Sequence, residues 1–263
     1  VVYNHFGPEG CYVSNFGEYF VGKYSTPWGN PVNFDEQYSD GVRNFVVQNA
    51  LMWLRDFHID GLRLDAIHAI YDFSAKHILQ ELSENVEELS NTLKKPLYLI
   101  GESHLNDVRH ISSVNKGGYG LTAQWSDDFH HAVHALTTSE KNGYYMDFGS
   151  PDQLAKAIKD VFVYDGKYSE FRKKTYGNST DNNPGEQFVI FNQNHDQVGN
   201  RKFGERLISL VDFETAKLIA GSMFVSPNIP MLFMGEEYAE RNPFLYFVSH
   251  LDDKLNKLVQ EGR

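Results

Sequence analysis

Short apolar runs alternate with amphipathic stretches along this chain. Leu97-Tyr98-Leu99-Ile100-Gly101, Gln187-Phe188-Val189-Ile190-Phe191 and Ile229-Pro230-Met231-Leu232-Phe233-Met234 are rich in branched and aromatic residues. Such runs suit strands buried on both faces, as in parallel sheets, where no water-facing side imposes alternation. Six segments read as strands: 1–4, 60–65, 97–102, 121–125, 187–193 and 229–234. Between them, apolar residues recur at spacings of three and four, the period of a helix with one buried face. Asp40 stands where it can cap a helix whose inner face carries Val42, Phe45, Val46, Trp53, Leu54 and Phe57. Ser74 stands likewise before Ile78, Leu82, Val86, Leu89 and Leu93. Ser150-Pro151 opens a third helix in the favoured cap-then-proline order, ahead of Leu154, Ile158 and Val161. A fourth runs around Phe213 to Phe224.

Strand-helix alternation predicts an α/β protein with a parallel sheet. The 263 residues fit a single (β/α)₈ TIM barrel, which typically needs about 250. Six strands fall short of eight, and Val1-Val2-Tyr3 reads as the middle of a buried strand. The expectation is therefore one catalytic domain over 1–263, an N-terminally truncated barrel with about six of its eight strands. Residues 166–186, polar and basic at Arg172-Lys173-Lys174, read as a long surface loop.

Composition narrows the partners. A hydrophobic share of 41% with 22% charged residues is ordinary for a globular protein with a sizeable core. The net charge of −11 argues against nucleic acid, whose phosphates need a basic face. No apolar run approaches the ~20 residues of a membrane span, so no membrane partner is expected. The lone cysteine, Cys11, cannot form an internal disulfide, which favours a reducing, cytoplasmic compartment or simple indifference to redox state.

Polar residues concentrate where the expected strands end. Asp65 closes Gly61-Leu62-Arg63-Leu64-Asp65, Glu102 closes Leu99-Ile100-Gly101-Glu102, and Asp196 follows Asn192-Gln193-Asn194-His195. In an α/β barrel the carboxyl ends of the strands build the active site, so acids there converge. The two-residue period of a strand puts Arg63 and Asp65 on one face and Leu62 and Leu64 on the other. An arginine so placed would keep Asp65 ionised, as a nucleophile requires. A second carboxyl, kept protonated in a drier site, could then protonate a leaving group; these two roles are the minimum for glycosidic cleavage. A third could steady positive charge or bind hydroxyls. Strand-end acids can also merely cap the helices that follow, but three on separate strands, two of them beside histidine or arginine, favour chemistry.

These motifs carry a family resemblance. Val1-Val2-Tyr3-Asn4-His5 resembles the end of the first conserved region of the α-amylase superfamily, glycoside hydrolase family 13. Gly61-Leu62-Arg63-Leu64-Asp65-Ala66 resembles its second region, Ile100-Gly101-Glu102-Ser103 its third, and Asn192-Gln193-Asn194-His195-Asp196 its fourth, in the family's order. The aspartate that normally opens the first region would precede Val1 and is not in this sequence. The resemblance implies that Asp65 is the nucleophile, Glu102 the general acid/base and Asp196 the transition-state stabiliser. It implies that His5 and His195 bind sugar hydroxyls at the cleaved bond and that Arg63 orients Asp65. Tyr24-Ser25-Thr26-Pro27-Trp28-Gly29, 123–131 and Phe233-Met234-Gly235-Glu236-Glu237-Tyr238 resemble trehalose-releasing members of the family. The implied substrate is maltooligosyl trehalose or a related α-glucan, cut at the α-1,4 bond next to the terminal trehalose.

Asp127, Asp128 and His130 are then placed near the leaving-group subsites, and His68 and Gln197 join the candidate substrate-binding residues. Sugar rings offer apolar C–H faces to flat side chains, so Tyr3, Trp28, Trp125 and Tyr238 are candidates for stacking. Glu236 and Glu237 can bind substrate or pair with Arg201, and the sequence does not choose. His130 and His134, like Asp127 and His131, have the i, i+4 spacing of a metal pair. No metal or other cofactor is expected, because the carboxylate mechanism needs none. Asn4 falls at a calcium-ligand position of some members, but its partner ligands cannot be identified and calcium is not predicted. A glucan branching enzyme of the same superfamily is the nearest rival, and a silent carbohydrate-binding module the rival from another class. The sequence carries no sign of oligomeric state.

Overall fold

The structure is a computed structural model that describes residues 1–7 and 9–262. These form two compact units, Val1–Trp125 and Ser126–Arg263. In the first unit, β1 (Gly61–Leu64), β2 (Tyr98–Gly101) and β3 (Ala123–Trp125) pair in parallel, with Gly61 opposite Tyr98 and Ile100 opposite Ala123. Leu62 and Leu64 are buried while Arg63 is only half-buried, as the two-residue period requires. The expected strand at 1–4 does not form as a regular element. Val1 alone pairs with the β1 end, its nitrogen donating to the Arg63 carbonyl at 2.7 Å and its carbonyl accepting from the Asp65 amide at 3.0 Å. Beyond Val1 the connection passes to a side chain, that of Asn4.

Two helices flank these strands in sequence. Helix α1 (Ser39–Arg55) buries Val42, Val46, Val47, Ala50 and Leu54. Phe45 and Phe57, expected on that inner face, are exposed. The apolar stripe is narrower than periodicity alone suggested, and edge contact with Tyr19 occupies Phe45 instead. Asp40 lies in the first turn, where it complements the helix dipole, and the cap position is Tyr38 in a left-handed conformation (φ 64°). Helix α2 (Ile78–Leu93) is capped by His77, whose Nδ1 accepts from the Leu79 amide at 3.1 Å, and not by Ser74. Asp72 takes a further first-turn donor, the Ile78 amide, at 2.6 Å. The same carboxylate meets Arg43 at 2.7 Å, and Arg43 also reaches Glu81 and the Phe34 and Lys76 carbonyls. One buried guanidinium thus ties α1 to the start of α2.

The second unit begins with α3 (Asp128–Thr138), of which Asp128 to Ala135 are all buried. Helix α4 (Pro151–Lys159) starts at the expected Ser-Pro cap, and the structure adds a capping box there, with Ser150 and Gln153 each accepting from the other's amide. The segment read as a surface loop contains a hairpin, β4 (Lys167–Ser169) antiparallel to β5 (Lys174–Tyr176). Its anchor is Asp147, which accepts from the Ser169 and Tyr164 hydroxyls at 2.6 Å and from the Glu170 amide at 3.1 Å. The Arg172 guanidinium lies 4.0 Å from the Tyr176 ring centroid, so the basic run packs on an aromatic face.

Strand β6 (Phe188–Phe191), buried throughout, pairs in parallel with β7 (Ile229–Met231), which is more open than its apolar sequence implied. Helices α5 (His195–Gly199), α6 (Leu207–Leu210) and α7 (Phe213–Phe224) lie between them in sequence, and α8 (Asp253–Gly262) follows. Among the described residues, no helix is long and apolar enough to cross a membrane.

Candidate active site

Leu64 lies opposite Gly101 across β1 and β2, so the next residues, Asp65 and Glu102, leave the sheet side by side. Gly101 allows close packing here: a Cβ there would come within 2.6 Å of Ile67 Cδ1 and 3.0 Å of Leu121 Cδ1, and the Ile67 side chain would have to shift. The chain turns sharply after Asp65 at Ala66, a left-handed residue (φ 39°). This turn aims the Ala66 amide at Glu102 Oε2, 2.5 Å away, and the Ile67 amide at the Glu102 carbonyl, 2.9 Å away. The backbone that carries one carboxylate therefore binds the other.

Arg63 joins the two acids. It donates through Nη1 to Asp65 Oδ1, while its Nη2 stands 3.6 Å from Glu102 Oε2. Its other neighbour is the Trp125 ring, whose centroid lies 4.5 Å from the guanidinium carbon. Asn4, fully buried, donates from Nδ2 to Asp65 Oδ2 at 3.0 Å and to the Asp65 carbonyl at 2.8 Å. The Asn4 carboxamide oxygen can only accept, so His5 Nδ1, at 2.5 Å, donates to it. His5 in turn stacks on Trp28 at 5.5 Å between centroids.

Burial of Asp65 by itself would raise its carboxyl. The hydrogen bonds from Arg63 and Asn4, with the charge of Arg63 and then of His5, outweigh burial and hold Asp65 below the usual carboxylate range. The Asp65 side chain is 24% exposed and that of Glu102 19%, so both are sheltered but reachable. An ionised carboxylate beside a second carboxyl at one strand edge can combine nucleophilic attack with proton transfer.

Of the other candidates in this unit, Trp28 is 42% exposed and free to meet a ligand's apolar face. His68 is half-buried, its ring centroid 3.9 Å from that of His104, a residue that no motif had singled out. Tyr3 is a correction. It is buried, with its hydroxyl donating to Asn49 Oδ1 at 2.8 Å, and anchors the start of the chain to α1 instead of offering a stacking face.

In the second unit, Asp196 sits in the first turn of α5. Asn194 Oδ1 accepts from the Asp196 and Gln197 amides at 3.0 and 3.1 Å, and Gln197 Oε1 accepts from the Asn194 amide at 3.0 Å. This capping box fixes the turn and leaves the Asp196 side chain 50% exposed. Tyr246 donates its hydroxyl to Asp196 Oδ1 at 2.9 Å, and His195 Nε2 lies 3.5 Å from Oδ2. Gln197 is buried and reaches Asp127 Oδ1 from Nε2 at 3.3 Å.

Asp128 and His130, expected as substrate contacts, lie inside the fold. Asp128 accepts from the Val163 and Tyr164 amides at 2.7 and 3.1 Å, and His130 meets the Asn192 carbonyl at 2.5 Å. Burial at 3% and 2% turns both toward the scaffold. Glu236 does not pair with Arg201. It accepts from Asn192 Nδ2 at 2.6 Å and the Phe233 amide at 3.1 Å, and burial raises its carboxyl against those bonds. Arg201 pairs with Glu140 and Glu205 instead. Tyr238 is exposed. Among the described residues, no group of three or more His, Cys, Asp or Glu is arranged to hold a metal ion.

The sequence missed Asn4 as a partner of Asp65 and missed Tyr246 altogether. Tyr246 had one indirect signal, Gly199, where a Cβ would come within 2.4 Å of the Tyr246 ring.

No protein-family profile matches the chain. It is 54% identical to the malto-oligosyltrehalose trehalohydrolase of Saccharolobus solfataricus, over 100% of this chain and 46% of that protein. The trehalohydrolase of Arthrobacter ramosus is 46% identical, again over 100% of this chain and 46% of the relative. The chain thus spans about half the length of the curated relatives it matches. Among solved structures, a putative alpha amylase from Salmonella typhimurium superposes with a TM-score of 0.89 at 40% identity, over 100% of this chain and 44% of that one. An alpha-amylase from Geobacillus thermoleovorans, complexed with acarbose, gives a TM-score of 0.60 at 19% identity over 98% of this chain and 54% of its own, a likeness of fold alone.

Proposed function

We propose, from a likeness to malto-oligosyltrehalose trehalohydrolases that runs its full length, that this chain is the part of such an enzyme that carries the catalytic carboxylates. The whole chain is read as part of one (β/α)₈ barrel. The parallel pairing of β1–β3 and of β6 with β7, together with the fold likeness to alpha-amylases, supports that reading. A reducing, cytoplasmic setting suits a chain whose only cysteine is Cys11.

The observation that carries the function is the sharing of Arg63 between Asp65 and Glu102. Asp65, held ionised, attacks the anomeric carbon of the glucose next to the terminal trehalose. Glu102 donates a proton to the departing glycosidic oxygen, so trehalose leaves neutral and a covalent glycosyl-enzyme remains. Glu102, now a carboxylate, removes a proton from water, which attacks the same carbon and releases Asp65. Asp196 steadies the positive charge that builds on the ring. His5 and His195 hold hydroxyls at the cleaved bond. Trp28, His68, Trp125, Asp127 and Gln197 serve the sugars around it, with Tyr3, Asp128 and His130 supporting them from inside the fold.

The test is incubation of the intact protein with maltotriosyl trehalose. Free trehalose should appear promptly, and the maltotriose released should first carry the α configuration, since two displacements restore it. Asp65→Asn should abolish turnover, and Glu102→Gln should slow it by about 10²–10⁴-fold, the usual range for a lost general acid. New α-1,6 branches without free trehalose would assign the chain to glucan branching instead.

A further inference from the structure

The histidines of α3 lie outside the carboxylate mechanism, yet six polar residues in the second unit form one continuous chain of contacts around the segment that bears Asp196. His130 starts it. Its Nδ1 lies 2.5 Å from the Asn192 carbonyl, which can only accept, so Nδ1 carries the proton. Burial keeps this ring neutral, its tendency to protonate well below that of an ordinary histidine. Nε2 is therefore an acceptor, and the Tyr145 hydroxyl, 2.7 Å away, donates to it. The Tyr145 ring stacks on His134 at 4.3 Å between centroids and an interplanar angle of 15°. His134 Nε2 meets Glu140 Oε2 at 2.8 Å, and the same oxygen accepts from Arg201 Nη1 at 2.9 Å.

The two ends of this chain of contacts are what matter. Asn192 lies just before the capping box of α5, and Arg201 lies just after the helix ends at Gly199. Residues 192–201 are gripped on both sides, with His195 and Asp196 between the grips. A third tie reaches the middle, from Gln197 to Asp127 at the cap position of α3. Asp196 itself stays half exposed, as a group that must meet a ligand has to be.

We infer that His130, Tyr145, His134 and Glu140 are positioning residues that set Asp196 through Asn192 and Arg201. The inference rests on the reading of Asp196 as transition-state stabiliser. An alternative use as a metal pair has no support in the geometry: both ring nitrogens of His130 and Nε2 of His134 are spent on protein partners. Glu140 is the most informative member, because it links His134 to Arg201, touches no proposed substrate group and is shared by two donors.

The experiment compares Glu140→Ala, Glu140→Gln, Asp196→Asn and the double variant Glu140→Ala/Asp196→Asn in the intact protein, with kcat and KM measured on maltotriosyl trehalose well below each variant's melting temperature. Displacing a catalytic group by about 1 Å can cost on the order of 10²-fold. Glu140→Ala should therefore lower kcat by about 10–100-fold with KM within a factor of about three. Glu140→Gln, which keeps an acceptor oxygen for one donor, should recover part of that loss and guards against a folding defect in the alanine variant. The double variant should be no slower than Asp196→Asn alone, because there is no longer a carboxylate to position. A folded Glu140→Gln and Glu140→Ala pair with wild-type kcat would overturn the inference, as would full additivity in the double variant. Wild-type turnover by Asp196→Asn would instead remove the reading of Asp196 on which it rests, so the two failures are distinguishable.

Discussion

At the scale of single residues, the state of Asp65 is decided by a competition that the structure lays out atom by atom. Burial favours the protonated acid, while two side-chain donors and a guanidinium charge favour the carboxylate and prevail. Asn4→Ala deletes one of those donors and leaves burial in place, so the carboxyl must move upward. The acid limb of the kcat/KM profile, which reports the free enzyme's essential carboxylate, should then shift toward neutral pH. A pH profile of the variant that superposes on the parent's would show that Asn4 does not tune Asp65. Half of this arrangement was legible in the sequence. Arg63 and Asp65 lie two apart in an apolar run, and strand parity puts them on one face. Asn4 and Tyr246 were not legible as partners, because each touches its carboxylate across 61 and 50 residues of chain and local pattern carries no such distance.

At the scale of elements, the periodic signal located four helices, α1, α2, α4 and α7, and not always their beginnings, while α3, α5, α6 and α8 were not read from it. Helix α7 runs from Phe213 to Phe224 as read, and α4 starts at its Ser-Pro cap. For α2, Ser74 is the right type of residue for a cap, yet the first-turn amides are met by His77 and by Asp72 from the preceding loop. That choice follows from Arg43. Its guanidinium pins the Asp72 carboxylate, whose side chain is 0% exposed, beside the helix start. Arg43→Met keeps much of the side-chain volume and removes the charge, leaving Asp72 buried without its counter-ion. Breaking a buried pair in this way typically costs about 3–5 kcal/mol. Urea unfolding of the variant should show a midpoint lowered accordingly; a change below about 1 kcal/mol would mean that Asp72 is satisfied by its backbone donors alone.

At the scale of the whole molecule, acid sensitivity is spread over both units. Asp65, Asp72 and Asp107 in the first, and Glu140, Asp147 and Asp165 in the second, all sit below the usual range; each is opposed by burial and lowered by hydrogen bonds, and all but Asp147 by nearby cations as well. A carboxylate whose folded value is depressed adds stability above its unfolded value, and that contribution is lost as pH falls through the folded one. The thermal midpoint should therefore hold from neutral pH down to about 5 and then decline steadily below about 4, where unfolded carboxyls take up protons. A midpoint unchanged down to pH 3 would contradict this account. The parallel α/β character was legible from strand-helix alternation. The hairpin at 167–176 was not, since its polar sequence is ordered by Asp147, a residue that lies before α4.

The bare Cα of Gly101 has an evolutionary consequence. It lets Ile67, the first residue of the turn after Asp65, rest against the strand that ends in Glu102. A side chain at 101 would press on the methyl end of Ile67, so a larger residue at 101 is best matched by a smaller one at 67.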